Sequence, residues 1–360
     1  MKILMLANFD LGLYKFRKEL IEELLNRGHE VFISLPDGDL VRPFEKMGCI
    51  FTDTPVDRRG INPKTDFALF QTYRKMMKDV NPDLVITYTI KPNIYGGIAA
   101  RLAKKQYAVN ITGLGTAFEN AGMIRTVVVN LYKFALKKAK VIFFENSSNR
   151  DEMLSFGCCS KDKTVVLHGA GVNTEYYSYQ PYPHNEKVKF LFVGRVMKEK
   201  GIDELFAVMQ RLIAEDQKCF LDVVGPFEED YKEKLEQYEK EGWLKYHGYQ
   251  ENVQPFIAAC DCFVLPSYHE GMANTNLECA SSGRPVITSN IPGCKEAVIK
   301  DVSGYLCEPK DVDSLYEALK KIIGISEESR CFMGKAGRKQ MQDVFDKSKV
   351  VAETIKPLGL

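Results

Sequence analysis

"DCFVLPSYHEGMANTNLECASSGRPVIT", residues 261–288, reads as one complete strand–loop–helix–strand unit. The apolar run 261–265 has the look of a buried strand, and Pro266 ends it. A helix over 274–282 stops at Gly283, and 285–288 is apolar and β-branched again. Strands joined by a helix pair in parallel, and a parallel sheet is covered on both faces. Within this unit Glu270 and Glu278 stand eight positions apart, separated by small and amide-bearing residues: Gly271, Ala273, Asn274, Thr275 and Asn276. A surface helix with solvated acids would share this look. The sharper reading is a pocket whose carboxylates accept from hydroxyls and whose backbone amides hold phosphate.

The same alternation extends in both directions. Upstream, strands are expected at 188–194, 219–225 and 244–247, with helices near 201–214, 228–240 and 252–259; helices near 294–299 and 311–322 follow. A second series occupies the first half, with strands at 2–8, 30–35, 49–52, 84–88, 107–111 and 140–144. Helical periodicity over 14–27, ended by Gly28, and over 66–80 and 93–105 fills the gaps. Between the series, 173–187 is polar, proline-bearing and aperiodic. The expected division is therefore a domain over 1–172, a linker over 173–187, a second domain over 188–338 and a tail over 339–360. Two open parallel sheets so joined place a ligand cleft at the C-terminal ends of their strands.

Site-like residues fall on those ends. The amides of Met272, Ala273, Asn274 and Thr275 are expected to be open at the start of the helix, aided by its dipole. Glu278, one turn inside, suits a vicinal diol such as a ribose, and Glu270 the hydroxyls of a second sugar. In "VGRVMKEKGIDEL", 193–205, Gly194 closes a strand and Arg195 and Lys200 bracket the loop that follows. Two cations at a strand end suit a diphosphate, although alone they would pass for solvated surface. In the first domain Gly12 lies between strand and helix without a GxGxxG, which disfavours a nicotinamide dehydrogenase. Lys91, Asn93 and Glu119 sit in loops after later strands.

These stretches resemble a known family. "GRVMKEKGIDEL" (194–205), "LDVVGPF" (221–227), the run 259–298 and "VSGYLCEP" (302–309) are together similar to the retaining glycosyltransferases of family four, which have the GT-B fold. The E-x7-E element, here Glu270 and Glu278, is characteristic of them. "RGHEV" (27–31), "IKPNIYG" (90–96) and "ITGLGTAF" (111–118) look like bacterial transferases that build polysaccharides on undecaprenyl diphosphate. The resemblance implies an α/β protein of two Rossmann-like domains facing across a cleft. Arg195 and Lys200 would neutralise the diphosphate of a nucleotide-sugar, UDP-linked in many relatives. Glu278 would bind ribose and Glu270 the transferred sugar, with Gly194 and the 271–275 amides beside them and Gly12 opposite. The tail from 339 would cross back to the first domain. The acceptor, a glycan or lipid-linked saccharide, would meet Lys91, Asn93 and Glu119.

The chain departs from the family pattern in two places: Met272 stands where many members have an aromatic residue, and 87–122 contains no histidine. Within the same fold, a sugar-nucleotide 2-epimerase and a non-catalytic binding subunit are the alternatives.

Composition agrees with this reading. The chain is 45% hydrophobic and 27% charged with net charge +1, so nothing global calls for nucleic acid. Residues 1–172 hold 25 Lys+Arg against 18 Asp+Glu, leaving the rest of the chain negative. The segment 123–144 mixes apolar residues with Arg125, Lys133, Lys137, Lys138 and Lys140, and suits an anionic membrane surface as well as a helix with a solvated basic face. Ten scattered cysteines fit free thiols in a reducing cytoplasm. They lack metal-ligand spacing, and no metal or other cofactor is expected. The start "MKILMLANF" has no signal-peptide pattern, and no apolar run spans a bilayer. The expected location is the cytoplasm, with peripheral attachment to the inner face of the membrane.

Overall fold

The computed structural model describes all residues except 59, 61, 116, 117 and 119–121. The chain forms two units, Met1–Ala170 with Ser348–Leu360, and Gly171–Lys347. In the first, seven parallel strands β1 (Lys2–Leu6), β2 (Glu30–Leu35), β3 (Ile50–Asp53), β4 (Leu84–Tyr88), β5 (Gln106–Ile111), β6 (Val141–Phe144) and β7 (Thr164–Val166) lie in the order β3-β2-β1-β4-β5-β6-β7. In the second, β8 (Val188–Val193), β9 (Cys219–Val224), β10 (Leu244–Tyr246), β11 (Cys262–Leu265), β12 (Val286–Ser289) and β13 (Gly304–Cys307) are ordered β10-β9-β8-β11-β12-β13, again all parallel. Every residue of β4 and β11 is buried, because helices cover both faces and leave no reason for polar alternation. Each sheet reverses its order at one place, between β1 and β4 and between β8 and β11, and ligands of such sheets bind at that switch.

Local chemistry explains the helix ends. Asn62 caps the helix Pro63–Asp79 through Lys64 N, with Pro63 in the first turn, where its missing N–H costs nothing. Asp311 caps Val312–Gly324 in the same way through Ser314 N. β7, β13 and the helix Glu327–Gln340 have no counterpart in the sequence reading. The strands are three and four residues long, too short to show a period. The helix buries only Arg330, Met333, Gly334 and Gly337, so it has no apolar stripe. Small residues let it approach closely: a Cβ at Gly334 would come within 1.9 Å of the Gly283 carbonyl oxygen.

The division differs from expectation at both joints. Residues 173–187 belong to the second unit, held there by arginines. Arg284, fully buried, donates to the carbonyls of Gln180 (3.0 Å) and Pro181 (2.8 Å), and Arg338 donates to that of Tyr177 (3.1 Å). At the other joint, only the residues from 348 onward join the first unit. Val350, Ile355 and Leu358 enter its core, and Lys140 donates to the Leu358 carbonyl at 2.7 Å. All ten cysteines are free, and eight are buried. Among the described residues no helix is long and apolar enough to cross a membrane.

Candidate active site

The switch point of the second sheet collects the ionic residues. Gly194 follows β8, and its N–H donates to the Val224 carbonyl at 3.0 Å. Arg195, half-exposed, pairs with Glu228 at 3.4 Å. Lys198–Lys200 form one 3-10 turn, closed by Gly201 at φ 70. That glycine is required twice over: the left-handed conformation disfavours a side chain, and a Cβ would lie 2.1 Å from the Pro266 carbonyl oxygen. The turn therefore packs directly on the end of β11, where Tyr268 N donates to the Glu199 carbonyl at 2.9 Å. The result is convergence on one atom. Glu270 Oε1 accepts from Lys200 Nζ at 2.5 Å and from Ser267 Oγ at 2.8 Å. Both charged side chains are largely buried, with 17% and 14% exposed. Among the described residues no further partner takes Oε2 of Glu270 or the other two ammonium donors of Lys200, which leaves hydrogen-bonding capacity for a ligand.

The next helix, Asn274–Ser281, carries Glu278. Its N-terminus is less open than the sequence implied, because the Ala273 amide is spent on the Gly293 carbonyl at 2.7 Å. Met272 and Ala273 are buried in the core, so their side chains offer nothing to a ligand. Asn274 turns its amide onto the Met272 carbonyl (3.3 Å), and Thr275 is half-buried in the first turn. Asn276, fully buried, donates to Thr288 Oγ1 at 3.0 Å and ties the helix to β12. The Tyr177 ring packs against the core of the unit, and the Glu278 carboxylate acts on its hydroxyl electrostatically. Burial first, and that carboxylate second, hold the Tyr177 hydroxyl protonated far above its usual range. Ser267 had no signal in the sequence, and Asn276, noted there only as an amide-bearing residue, acts as a tie inside the fold.

The switch point of the first sheet is built differently. The space beside Gly12 is filled by the Phe9 ring, which a Cβ would meet at 2.4 Å, so this glycine makes room for a side chain of its own loop. Thr89, after β4, has φ 70, an outlier for a β-branched residue, and a π-helical turn Pro92–Gly96 follows. Lys91 pairs with Asp66 Oδ1 at 2.6 Å, and the Tyr95 hydroxyl donates to Asp66 Oδ2 at 2.9 Å. Asn93 is buried: its Oδ1 accepts from Thr87 Oγ1 and its Nδ2 donates to the Asn110 carbonyl, both at 2.8 Å. Its side chain is a tie between β4 and β5 and not a loop donor for an acceptor. Glu119 lies outside the described residues. A buried ion pair, Arg17–Glu145 at 2.6 Å, links the first helix to the end of β6, with the guanidinium over the Tyr88 ring. Burial pushes that tyrosine up to about 12.

Known proteins are similar to this chain in sequence and in fold. Residues 179–340 match the family model described as glycosyl transferases group 1, and residues 2–146 match glycosyl transferase 4-like. The N,N'-diacetylbacillosaminyl-diphospho-undecaprenol alpha-1,3-N-acetylgalactosaminyltransferase of Campylobacter jejuni is 27% identical over 90% of this chain and 89% of its own. The UDP-Gal:alpha-D-GlcNAc-diphosphoundecaprenol alpha-1,3-galactosyltransferase of Escherichia coli is 30% identical over 73% of this chain and 72% of its own. In architecture, the Anabaena HepE crystal structure with UDP and glucose superimposes with a TM-score of 0.82 at 18% identity, covering 100% of this chain and 99% of that one. With two parallel-sheet units of the GT-B kind, a family model on each half and a glycosyltransferase 30% identical over 73% of the chain, this chain belongs to the group 1 glycosyl transferase family and is a glycosyltransferase.

Proposed function

We propose that the enzyme transfers a hexose or N-acetylhexosamine, with retention and without a metal, from a UDP-sugar to a hydroxyl of a glycan on undecaprenyl diphosphate. The observation that carries this reading is the Lys200–Ser267–Glu270 cluster at the β8/β11 switch, with Arg195 on the adjoining strand end. Breaking the bond between the anomeric carbon and the phosphate oxygen leaves negative charge on the diphosphate. Arg195 and Lys200 stabilise that charge as it develops, which is electrostatic catalysis by pre-placed groups. Glu270 holds the hydroxyls of the sugar through its second oxygen, and Glu278 those of the ribose. The acceptor oxygen forms the new bond on the same face, and its proton passes to the departing phosphate oxygen. The nucleotide and the lipid-linked acceptor are supported by the names of the two curated relatives, which specify diphosphoundecaprenol acceptors and, in one case, a UDP-sugar.

Such an acceptor places the enzyme at the cytoplasmic face of a membrane, and helix Met123–Leu136 suits that surface. Met123, Ile124, Val127 and Phe134 are exposed, while Val129, Tyr132 and Leu136 face the core. Lys133, Lys137 and Lys138 are exposed in the same stretch, whereas Arg125 is half-buried over the Phe156 ring. Lys140 is set apart by its bond to Leu358. Each basic residue at an anionic surface adds about 1 kcal/mol.

The deciding experiment is a thermal-shift panel of UDP, GDP, ADP and NAD on the wild type and Lys200→Ala. Stabilisation by UDP alone, lost in the variant, is the expected result. No shift with any nucleotide overturns the donor-site assignment. Flotation with anionic vesicles tests the membrane face, and no binding there removes that part.

A further inference from the structure

We propose that Tyr268 is a positioning residue for the donor site: it locks the loop that carries Glu270 to the helix start that follows Lys200, and so fixes where the lysine meets a diphosphate. The inference rests on the reading of Lys200 as a diphosphate-binding group, and adds a tyrosine and its partner, Glu204, that stand outside the E-x7-E element.

Residues 267–270 meet residues 199–204 at three points. The Tyr268 amide donates to the Glu199 carbonyl at 2.9 Å. Lys200 Nζ reaches Glu270 Oε1 at 2.5 Å. The Tyr268 hydroxyl donates to Glu204 Oε1 at 2.6 Å, in the first turn of the helix Ile202–Ala214. One tyrosine thus makes two of the three contacts, and its partners bracket Lys200 in the chain. Its ring is buried, with Lys310 Nζ 4.8 Å above it. Burial first, and the Glu204 carboxylate second, hold the hydroxyl protonated above its usual range, so it stays a donor. Among the described residues Glu204 Oε2 is buried with no partner, which leaves the tyrosine as the side-chain donor to this carboxylate. The neighbouring Asp203 has a bond of the same kind, from the Tyr231 hydroxyl at 2.9 Å. Tyr231 precedes the helix Lys232–Lys240, however, and has no part in the Glu270 loop. The helix start therefore carries two tyrosine–carboxylate bonds, and only one of them ties it to the donor loop.

A lysine is a point charge on a flexible stem, so its aim depends on how firmly its backbone is held. Holding it before the ligand arrives removes an ordering cost from binding. Gly201 lets the turn approach β11, and Tyr268 fastens it there on both sides of the lysine. The consequence is selective. Losing the Tyr268 hydroxyl weakens binding through Lys200, whereas losing that of Tyr231 loosens the same helix start without touching the donor loop.

Tyr268→Phe keeps the ring and removes the bond, and Glu204→Ala breaks the same bond from its other end, which serves if the first variant does not fold. The test measures dissociation constants by calorimetry for the nucleoside diphosphate that stabilises the wild type in the UDP, GDP and ADP panel. Wild type, Tyr268→Phe, Glu204→Ala, Tyr231→Phe, Lys200→Ala and the Tyr268→Phe/Lys200→Ala double variant are compared, with melting temperatures read without nucleotide. Tyr268→Phe and Glu204→Ala should each weaken binding about three- to tenfold. Tyr231→Phe, which removes a bond of the same kind, should change it by less than about twofold for a similar fall in melting temperature. On top of Lys200→Ala, Tyr268→Phe should add less than about twofold, since its effect runs through the lysine. Equal losses from the two tyrosines, no loss from Tyr268→Phe, or a loss of the same size with and without Lys200 overturns the role of Tyr268, while a strong Lys200→Ala effect keeps the diphosphate assignment. If Lys200→Ala leaves binding unchanged, or no nucleotide binds, the donor-site reading falls and takes this proposal with it.

Discussion

Each sheet places a lysine–carboxylate pair beyond its switch point, and the two pairs differ in what they leave available. In the first unit both oxygens of Asp66 are taken, Oδ1 by Lys91 and Oδ2 by the Tyr95 hydroxyl. In the second unit Lys200 and Ser267 crowd onto one oxygen of Glu270. A carboxylate already bonded at both oxygens braces a fold, whereas one gripped from a single side is held still with an acceptor to spare. Under the proposed function the distinction separates a structural ion pair from a binding one, although residue types and distances are nearly the same. The first unit has its own unusual features, Thr89 at left-handed φ and the buried Arg17–Glu145 pair, but these act on the backbone and the core.

The largest expected effect breaks the structural side of this contrast. Arg17→Ala removes the buried guanidinium from the Glu145 carboxylate and should cost about 3–5 kcal/mol, a fall in melting temperature of roughly 6–20 °C. Replacing both partners with apolar residues should recover most of it, and calorimetry checks both. Next, Lys200→Ala should lower kcat/KM by about 10²–10³, as loss of one charge-stabilising donor does. Lys91→Ala should cost less than about tenfold on the same scale. Equal losses in steady-state assays would erase the contrast between the two pairs. Third, Gly201→Ala should destabilise by about 2 kcal/mol from left-handed strain and from the clash with Pro266, and should raise the donor KM by displacing Lys200. A variant with normal stability and kinetics would show that the turn does not set the lysine. Fourth, Thr89→Gly should gain up to about 1 kcal/mol, the relief of a strained β-branched residue less the entropy of glycine. A falling melting temperature would show that the side chain of Thr89 earns its strained conformation. The smallest effect expected is none: EDTA should leave turnover unchanged, and loss restored by a divalent cation would refute the metal-free proposal.

The contrast also marks how far the sequence could be read. Strands β2 and β4 appear at 30–35 and 84–88 as expected, since a buried parallel strand writes itself as a short apolar run. The Glu270–Glu278 stretch was legible because its spacing is local, within one loop and one helix. The Arg17–Glu145 pair joins residues 128 apart, and Lys91–Asp66 residues 25 apart, so no window of sequence contains either. Asn93 illustrates the converse error. A polar residue after a strand resembles a ligand group until the structure shows both ends of its amide engaged.

By itself the sequence determined the class of fold, two parallel sheets, and the glutamates and cations of the candidate donor site. Periodicity and short spacings are properties of neighbouring residues, and local sterics and burial enforce them. Only the tertiary structure decided which of those groups remain open, because that depends on long-range partners. It put Ser267 and Lys200 on one oxygen of Glu270, spent the Ala273 amide on Gly293, and turned an apparent linker into a segment held by Arg284, Arg338 and Ser281.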